Sequence, residues 1–542
     1  MCILCQNGNP QNHFGRRDFL KTAAATGAAA TGGLFAARPA AAHDGDDGPD
    51  DTGKRGRRYI IRGGSVMSMD PKVGDFPQAD VLVEGKKILA VGPNLSAGGA
   101  AEIDARGKIV MPGFVDTHHH QAWTAIRSSI PDSVLIDDKS GTPSAAENYF
   151  GNILLGFATK YRARDVYISE LFGGLAQLDN GVTTVHDVSQ IHHSPEHSDA
   201  AIQALFDTGR RAAFGYFESA GGVPGNLYPS DARRIRDQWF SSKDQLVHMI
   251  MGGELYLGDA TTQASWTIGR ILELQIAAHV LSPFGIRPIF DRLADGQGGT
   301  DGNGGFGTIA MDSDNLFIHV TGMSDHAWDK VKAVGAQVSI AFPIEMNMRH
   351  GTPPIHKMQH LGLEPSLSTD VETNMTADFF TQMRSAMTLQ RMVVNQEILN
   401  SGDFTNFFFE AVPGSAWPTV PPGTLPLLNV RDVLRYATVN GAKALQLDGK
   451  YGKVGSLTPG YEADIIILDG THINVFPVNH VPGAVVQMME RSNVETVIVA
   501  GKVRKWKGKL LDVDLPHLRR QLESTRDFLY HELTGNPPNL FR

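Results

Sequence analysis

Three consecutive histidines, His118, His119 and His120, end the run Ile109-Val110-Met111-Pro112-Gly113-Phe114-Val115-Asp116-Thr117. The apolar residues predict a strand. Side chains two apart on a strand share a face, so His118 and His120 can reach one metal ion while His119 points away. Imidazoles converging on a borderline divalent ion, with one position left open for water, are the equipment of metal-assisted hydrolysis. Gln121 and Trp123 follow directly and are candidates for substrate contact. His186 and Asp187 follow the apolar run Val182–Val185, so His186 is a further candidate at the same end of a strand. His192, His193 and His197 form a loop cluster whose expected role is structural. No P-loop, Ser-His-Asp signature or heptad run accompanies these groups.

Those histidines need a scaffold. Between Pro112 and Gly455 short apolar strands such as Val182–Val185 and Phe317–Val320 alternate with helical stretches near Ser198–Asp207 and Ala377–Leu389. This alternation predicts an α/β fold with a (β/α)8 TIM barrel over 112–454, whose chemistry sits at the C-terminal ends of its strands. Alternating apolar runs at Tyr59–Arg62, Ala79–Glu84 and Ile88–Gly92, with a turn at Gly85-Lys86-Lys87, predict a hairpin. Similar runs recur at Ala463–Leu468, Val494–Val499 and Gly501–Val503. Both chain ends are thus expected to build one small composite β-sandwich domain, from residues 58–111 and 455–512. The tail, 513–542, reads as a helix from Leu515 to Leu533 that packs on the barrel or on a partner subunit of a homo-oligomer. Asp295–Gly307, rich in glycine, reads as a linker or lid.

The N-terminus is of another kind. Gly15-Arg16-Arg17-Asp18-Phe19-Leu20-Lys21 precedes an Ala/Gly-rich run from Thr22 to Ala37, and Ala40-Ala41-Ala42 offers a cleavage site. This order resembles a bacterial twin-arginine signal peptide over residues 1–42, which implies the export machinery as a partner and a periplasmic or secreted product. Residues 43–57, beginning His43-Asp44-Gly45-Asp46-Asp47, read as an acidic linker. The two cysteines, Cys2 and Cys5, fall within the leader, so no disulfide is expected in the mature fold. The full chain of 542 residues carries −9. Removing the leader's Arg16, Arg17, Lys21 and Arg38 together with Asp18 leaves −12. Such a surface disfavours nucleic acid, and past the leader no apolar run is long enough to span a membrane.

Pro-Gly-Phe-Val-Asp-Thr-His-x-His, at Pro112–His120, resembles the opening of the amidohydrolase superfamily, in its cytosine deaminase and triazine chlorohydrolase branch. The likeness runs from about Arg62 to Lys509. Val439-Asn440-Gly441-Ala442-Lys443-Ala444-Leu445, Gly452–Leu457 and Pro459-Gly460-Tyr461-Glu462-Ala463-Asp464 resemble that branch's ending. The resemblance implies a third histidine ending a middle strand, which Ile276-Ala277-Ala278-His279 fits. It implies a fourth on the next strand, which Asn315–His319 fits, and an aspartate on the last, which Leu367-Ser368-Thr369-Asp370 fits. The implied site is one Zn²⁺ or Fe²⁺ held by His118, His120, His279 and Asp370, with His319 beside the water or substrate. Asp370 would move the water's proton and His319 would stabilise charge.

One residue departs from the branch. A glutamate that shuttles protons usually follows the third histidine by three positions, and Ser282 stands there. A serine hydroxyl is no general acid near neutral pH. Glu345, after the run Val338–Ala341, is the substitute candidate. The expected activity is metal-dependent hydrolysis of a C–N bond in an amide, cyclic amide or amino-heterocycle. Heteroaromatic deamination and chlorohydrolysis are alternatives, as are a metal-dependent isomerase or lyase and a non-catalytic binding protein on a relic barrel. The substrate in each case is a small molecule.

Overall fold

The structure is a computed structural model that describes residues 48–296, 309–402 and 420–541. The leader, its cysteines and most of the glycine-rich stretch 295–307 lie outside the described residues. Eight parallel strands form the barrel: β6 (Phe114–His119), β7 (Val182–Ser189), β8 (Arg211–Tyr216), β9 (Val247–Gly252), β10 (Gln275–Leu281), β11 (Asn315–Thr321), β12 (Gln337–Ile340) and β13 (Ser366–Leu367). They stand in chain order around the barrel, each beside the next. From β6 to β11 every strand residue is buried, because helices cover the outside while side chains fill the inside. Closure occurs at the chemistry. His120 N–H donates to Asp370 O at 2.8 Å, and Asp370 N–H donates to His118 O at 3.0 Å.

The opposite end is plugged by chain. Val115, Ala213, Ile250, Ala277 and Leu316 pack with Ala442, Ala444, Leu445 and Leu447 from the segment around helix Val439–Ala444. A Cβ on Gly441 would lie 2.7 Å from Val115 Cβ, so only glycine lets this helix seat.

Both chain ends join one nine-stranded sheet, as the patterning predicted. Its strands are β1 (Arg58–Met67), β2 (Asp75–Glu84), β3 (Lys87–Gly92), β4 (Ala101–Asp104), β5 (Lys108–Pro112), β14 (Ile465–Asp469), β15 (Val494–Val499), β16 (Lys502–Trp506) and β17 (Lys509–Leu510). The order is β17-β16-β15-β14-β5-β1-β2-β3, with β4 on β1. Tyr59, Ile61, Val81 and Val110 share a core with Ile465, Ile467 and Ile498, so burial of apolar surface ties the two halves together. Arg211 at the start of β8 joins barrel to sheet. Its side chain is buried and meets Glu462 at 2.7 Å and Asp464 at 3.0 Å. Glu462 is also paired with Lys87 at 3.3 Å, so losing the guanidinium would chiefly leave the buried Asp464 carboxylate uncompensated, at a cost of ~3–5 kcal/mol. The same contact gives a physical reason for the Glu462-Ala463-Asp464 sequence.

Residues 49–57 form turns, and Thr52 Oγ1 accepts from Val503 N–H at 3.1 Å, so this part of the acidic segment lies on β16. The tail is a helix, Leu515–Thr534, laid on the barrel helix Ala163–Asp179. Thr525 Oγ1 donates to the buried Asp165 at 2.7 Å, and Arg162 stacks on Phe528.

Candidate metal centre and its pocket

Five side chains converge where the barrel strands end. His118 Nε2 lies 3.0 Å from His120 Nε2 and 3.0 Å from His279 Nε2. Asp370 Oδ1 is 3.8 Å from His118 Nε2 and 3.7 Å from His120 Nε2. Its Oδ2 is 3.7 Å from His319 Nε2. The ligand atoms of His118, His120 and His279, and those of His118, His319 and Asp370, lie within 4.8 Å of one another. His119 turns outward, with Nδ1 on Thr369 at 3.0 Å.

These residues fit a divalent cation. A neutral ring nitrogen is either a donor or an acceptor, so three Nε2 atoms meeting at 3.0 Å cannot satisfy one another. Tetrahedral ligands ~2.1 Å from a shared ion sit roughly 3.4 Å apart, and the spacings here run from 3.0 to 3.8 Å around that value. His279 Nδ1 is paired with Glu254 at 2.5 Å, and Glu254 also accepts the His279 backbone N–H. With Nδ1–H given to a carboxylate, Nε2 presents its lone pair inward.

Charge supports the same arrangement. Burial, then the neighbouring imidazoles, pushes His118, His120 and His319 well below the usual histidine range, so all three are neutral. Burial also opposes charging His279, but the Glu254 carboxylate outweighs it and raises that pKa. Burial pushes Asp370 up to about 7. A cation among the histidines favours its carboxylate form.

The backbone is strained here. His319, Val320 and Asp370 hold φ of 72°, 54° and 59°, the left-handed region that L-residues avoid. For a β-branched residue such as Val320 this is an outlier costing ~1–3 kcal/mol, maintained by the surrounding barrel.

A pocket open to solvent lies above the cluster. Leu135, Leu154, Leu281, Phe284, Met348 and Val371 make its apolar walls, and Tyr149, Gln190, Tyr256 and His350 bring polar atoms. Several residues singled out from sequence stand behind these walls. Glu345 is buried behind His319: its Oε1 takes the His319 Nδ1 proton at 2.9 Å and the Ala341 N–H at 2.9 Å. It is the fourth residue of helix Phe342–Asn347, within the first turn, and reaches back to the N–H of Ala341 just before the helix. Its carboxylate therefore orients a histidine rather than facing the pocket. Trp123 donates to Tyr149 Oη at 2.8 Å from behind it. Gln121 is locked between Arg210 and the Glu170 carbonyl, and His186 Nδ1 pairs with Thr117 O at 2.9 Å. Ser282 is exposed and off the lining. His192, His193 and His197 have both ring nitrogens paired with hydroxyls or carbonyls, the structural role expected of them.

Sequence reasoning missed Glu254, Gln190, Tyr256, Glu218 and His350. Glu254 follows Gly252-Gly253 at the end of β9, a strand-end carboxylate of the kind that barrels place at the site.

Comparison with known proteins agrees with this geometry. The model described as the Amidohydrolase family matches residues 109–406 and 426–504. The twin-arginine translocation pathway signal sequence matches residues 13–33. The chain is therefore exported, to the periplasm or beyond, and among the described residues no helix is long and apolar enough to cross a membrane. It is 28% identical over 467 residues to the 5'-deoxyadenosine deaminase of Methanosarcina barkeri, covering 84% of this chain and 94% of that one. It is 24% identical over 438 residues to the 5-methylthioadenosine/S-adenosylhomocysteine deaminase of Thermococcus kodakarensis, covering 79% and 90%. Among solved structures, an adenosine deaminase from Xanthomonas campestris with bound zinc superposes with a TM-score of 0.68 at 20% identity, covering 88% and 99%. The atrazine chlorohydrolase of Arthrobacter aurescens TC1 complexed with zinc gives 0.67 at 19%, covering 86% and 100%. The chain belongs to the Amidohydrolase family and is a metal-dependent hydrolase acting on carbon–nitrogen bonds.

Proposed function

We propose that the protein replaces the exocyclic amine of a small nitrogen heterocycle by water, releasing ammonia. The observation that carries this reading is the convergence of His118, His120, His279, His319 and Asp370 beneath a largely apolar pocket. Walls such as Tyr149 and Phe284 suit a flat ring, and deaminases stand among the relatives named above. One ion, zinc in preference to iron, is held by His118, His120, His279 and Asp370. This imidazole-rich donor set suits a borderline ion, and zinc is bound in the similar structures.

A divalent ion in this donor set supplies Lewis acidity and brings the ionisation of water down towards pH ~7. The chain's own residues do the rest. Asp370 takes the proton of the attacking water at Oδ2, which has no hydrogen-bond partner in the protein, and returns it to the departing nitrogen. His319, oriented by Glu345, stabilises charge at the attacked carbon. The leucines, Phe284 and Met348 give the pocket apolar walls, whose low local dielectric strengthens each of these interactions.

A second reading, opening of a cyclic amide, is favoured by Ser282, which leaves no acid at the position where the branch keeps its proton shuttle. Incubating zinc-loaded mature protein with panels of amino-heterocycles and cyclic amides separates the two. Ammonia release from the first panel supports ring deamination. Ring opening of the second without ammonia overturns it in favour of the cyclic amide.

A further inference from the structure

Gln190 follows β7, is 2% exposed and lines the pocket. Its Nε2 donates to Glu218 Oε1 at 2.7 Å, while its Oε1 is buried without a protein partner. With its nitrogen on Glu218, the amide turns its oxygen elsewhere. Tyr256, also on the lining, donates its hydroxyl proton to the same Glu218 Oε1 at 2.5 Å. Tyr256 thus has its one donor committed to Glu218 and Gln190 one of its two, and each is left with acceptor lone pairs. A buried acceptor left unmatched disfavours any ligand that cannot donate to it.

Resting on the heterocycle reading above, we propose that Gln190 is a specificity-determining residue whose Oε1 accepts an N–H of the substrate, with Glu218 as the positioning residue that fixes the amide. The pocket therefore selects rings that carry an N–H donor on the side of β7 and β8, and rejects isosteres that lack it. Glu218 makes its hydrogen bonds to Gln190 and Tyr256, so its replacement changes which ligands bind, and it makes no hydrogen bond to the histidine cluster.

The test uses two isosteric probes, 2-aminopyrimidine and 2-methylpyrimidine, which differ in donor capacity at nearly equal size. Their binding to zinc-loaded mature protein is measured by ligand-observed NMR, so no turnover is needed. Wild type is expected to prefer the amino ring about 10-fold. Gln190→Leu should bring that ratio to about 1 by weakening the amino ring alone. Glu218→Gln, which frees the amide to rotate, should lower the ratio with Gln190 still in place, and this is a response that a merely structural role would not produce. An unchanged ratio in both variants overturns the assignment while leaving the heterocycle reading standing. Failure of both rings to bind wild type overturns the assignment and the heterocycle reading together.

Discussion

Replacing Asp370 by asparagine is expected to lower kcat by on the order of 10³-fold or more while the protein stays folded. The carboxylate is the one group in the cluster that can accept a proton at Oδ2 and give it back, and an amide can do neither. Asparagine is a fair control for the fold. It matches aspartate in size and is the residue that best tolerates a φ of 59° outside glycine. The backbone closure of the barrel, Asp370 N–H to His118 O and His120 N–H to Asp370 O, does not involve the side chain and remains. Single-turnover kinetics together with thermal unfolding check this. Near-normal turnover in a folded Asp370→Asn protein would remove Asp370 from the chemistry.

Loss of Glu254 is expected to loosen the metal by about 10- to 100-fold, as removal of a carboxylate behind a ligating histidine generally does. Glu254 holds His279 twice, at the ring Nδ1 and at the backbone N–H, so it fixes both the tautomer and the direction of Nε2. Glu254→Gln keeps one acceptor and should fall at the lower end, and Glu254→Ala at the upper. Competition with a chromophoric chelator reads the affinity directly. Equal affinity in Glu254→Ala and wild type would mean that His279 is not a ligand, since freeing a ligand's ring must cost binding.

How much of this was legible in the sequence follows from which signals are local. The β6 run ending in His118-His119-His120 could be read because period-two geometry alone puts His118 and His120 on one face. The composite sheet was legible because alternation recurs at both ends, as in β1, β2 and β14. His279, His319 and Asp370 needed a resemblance, since a histidine ending an apolar run is not in itself a ligand, and the structure brings all three beside His118.

Glu345 shows the limit of such reasoning. Its place near a strand end suggested an acid facing the substrate, but whether a side chain turns to the pocket or to a histidine depends on the helix that carries it. Gln121 and Trp123 are the same case: nearness in sequence to the metal pair put them one layer behind the wall, where Trp123 supports Tyr149. Glu254 and Gln190 act through partners 25 and 28 residues away, and no local pattern encodes such pairs.

The most direct test of the account is the metal content of mature protein by ICP-MS, measured beside a His118→Ala/His120→Ala double variant. The account predicts about one zinc per wild-type chain and none in the variant. Wild-type protein that holds no stoichiometric metal, and takes up none on reconstitution with zinc or iron, would contradict it.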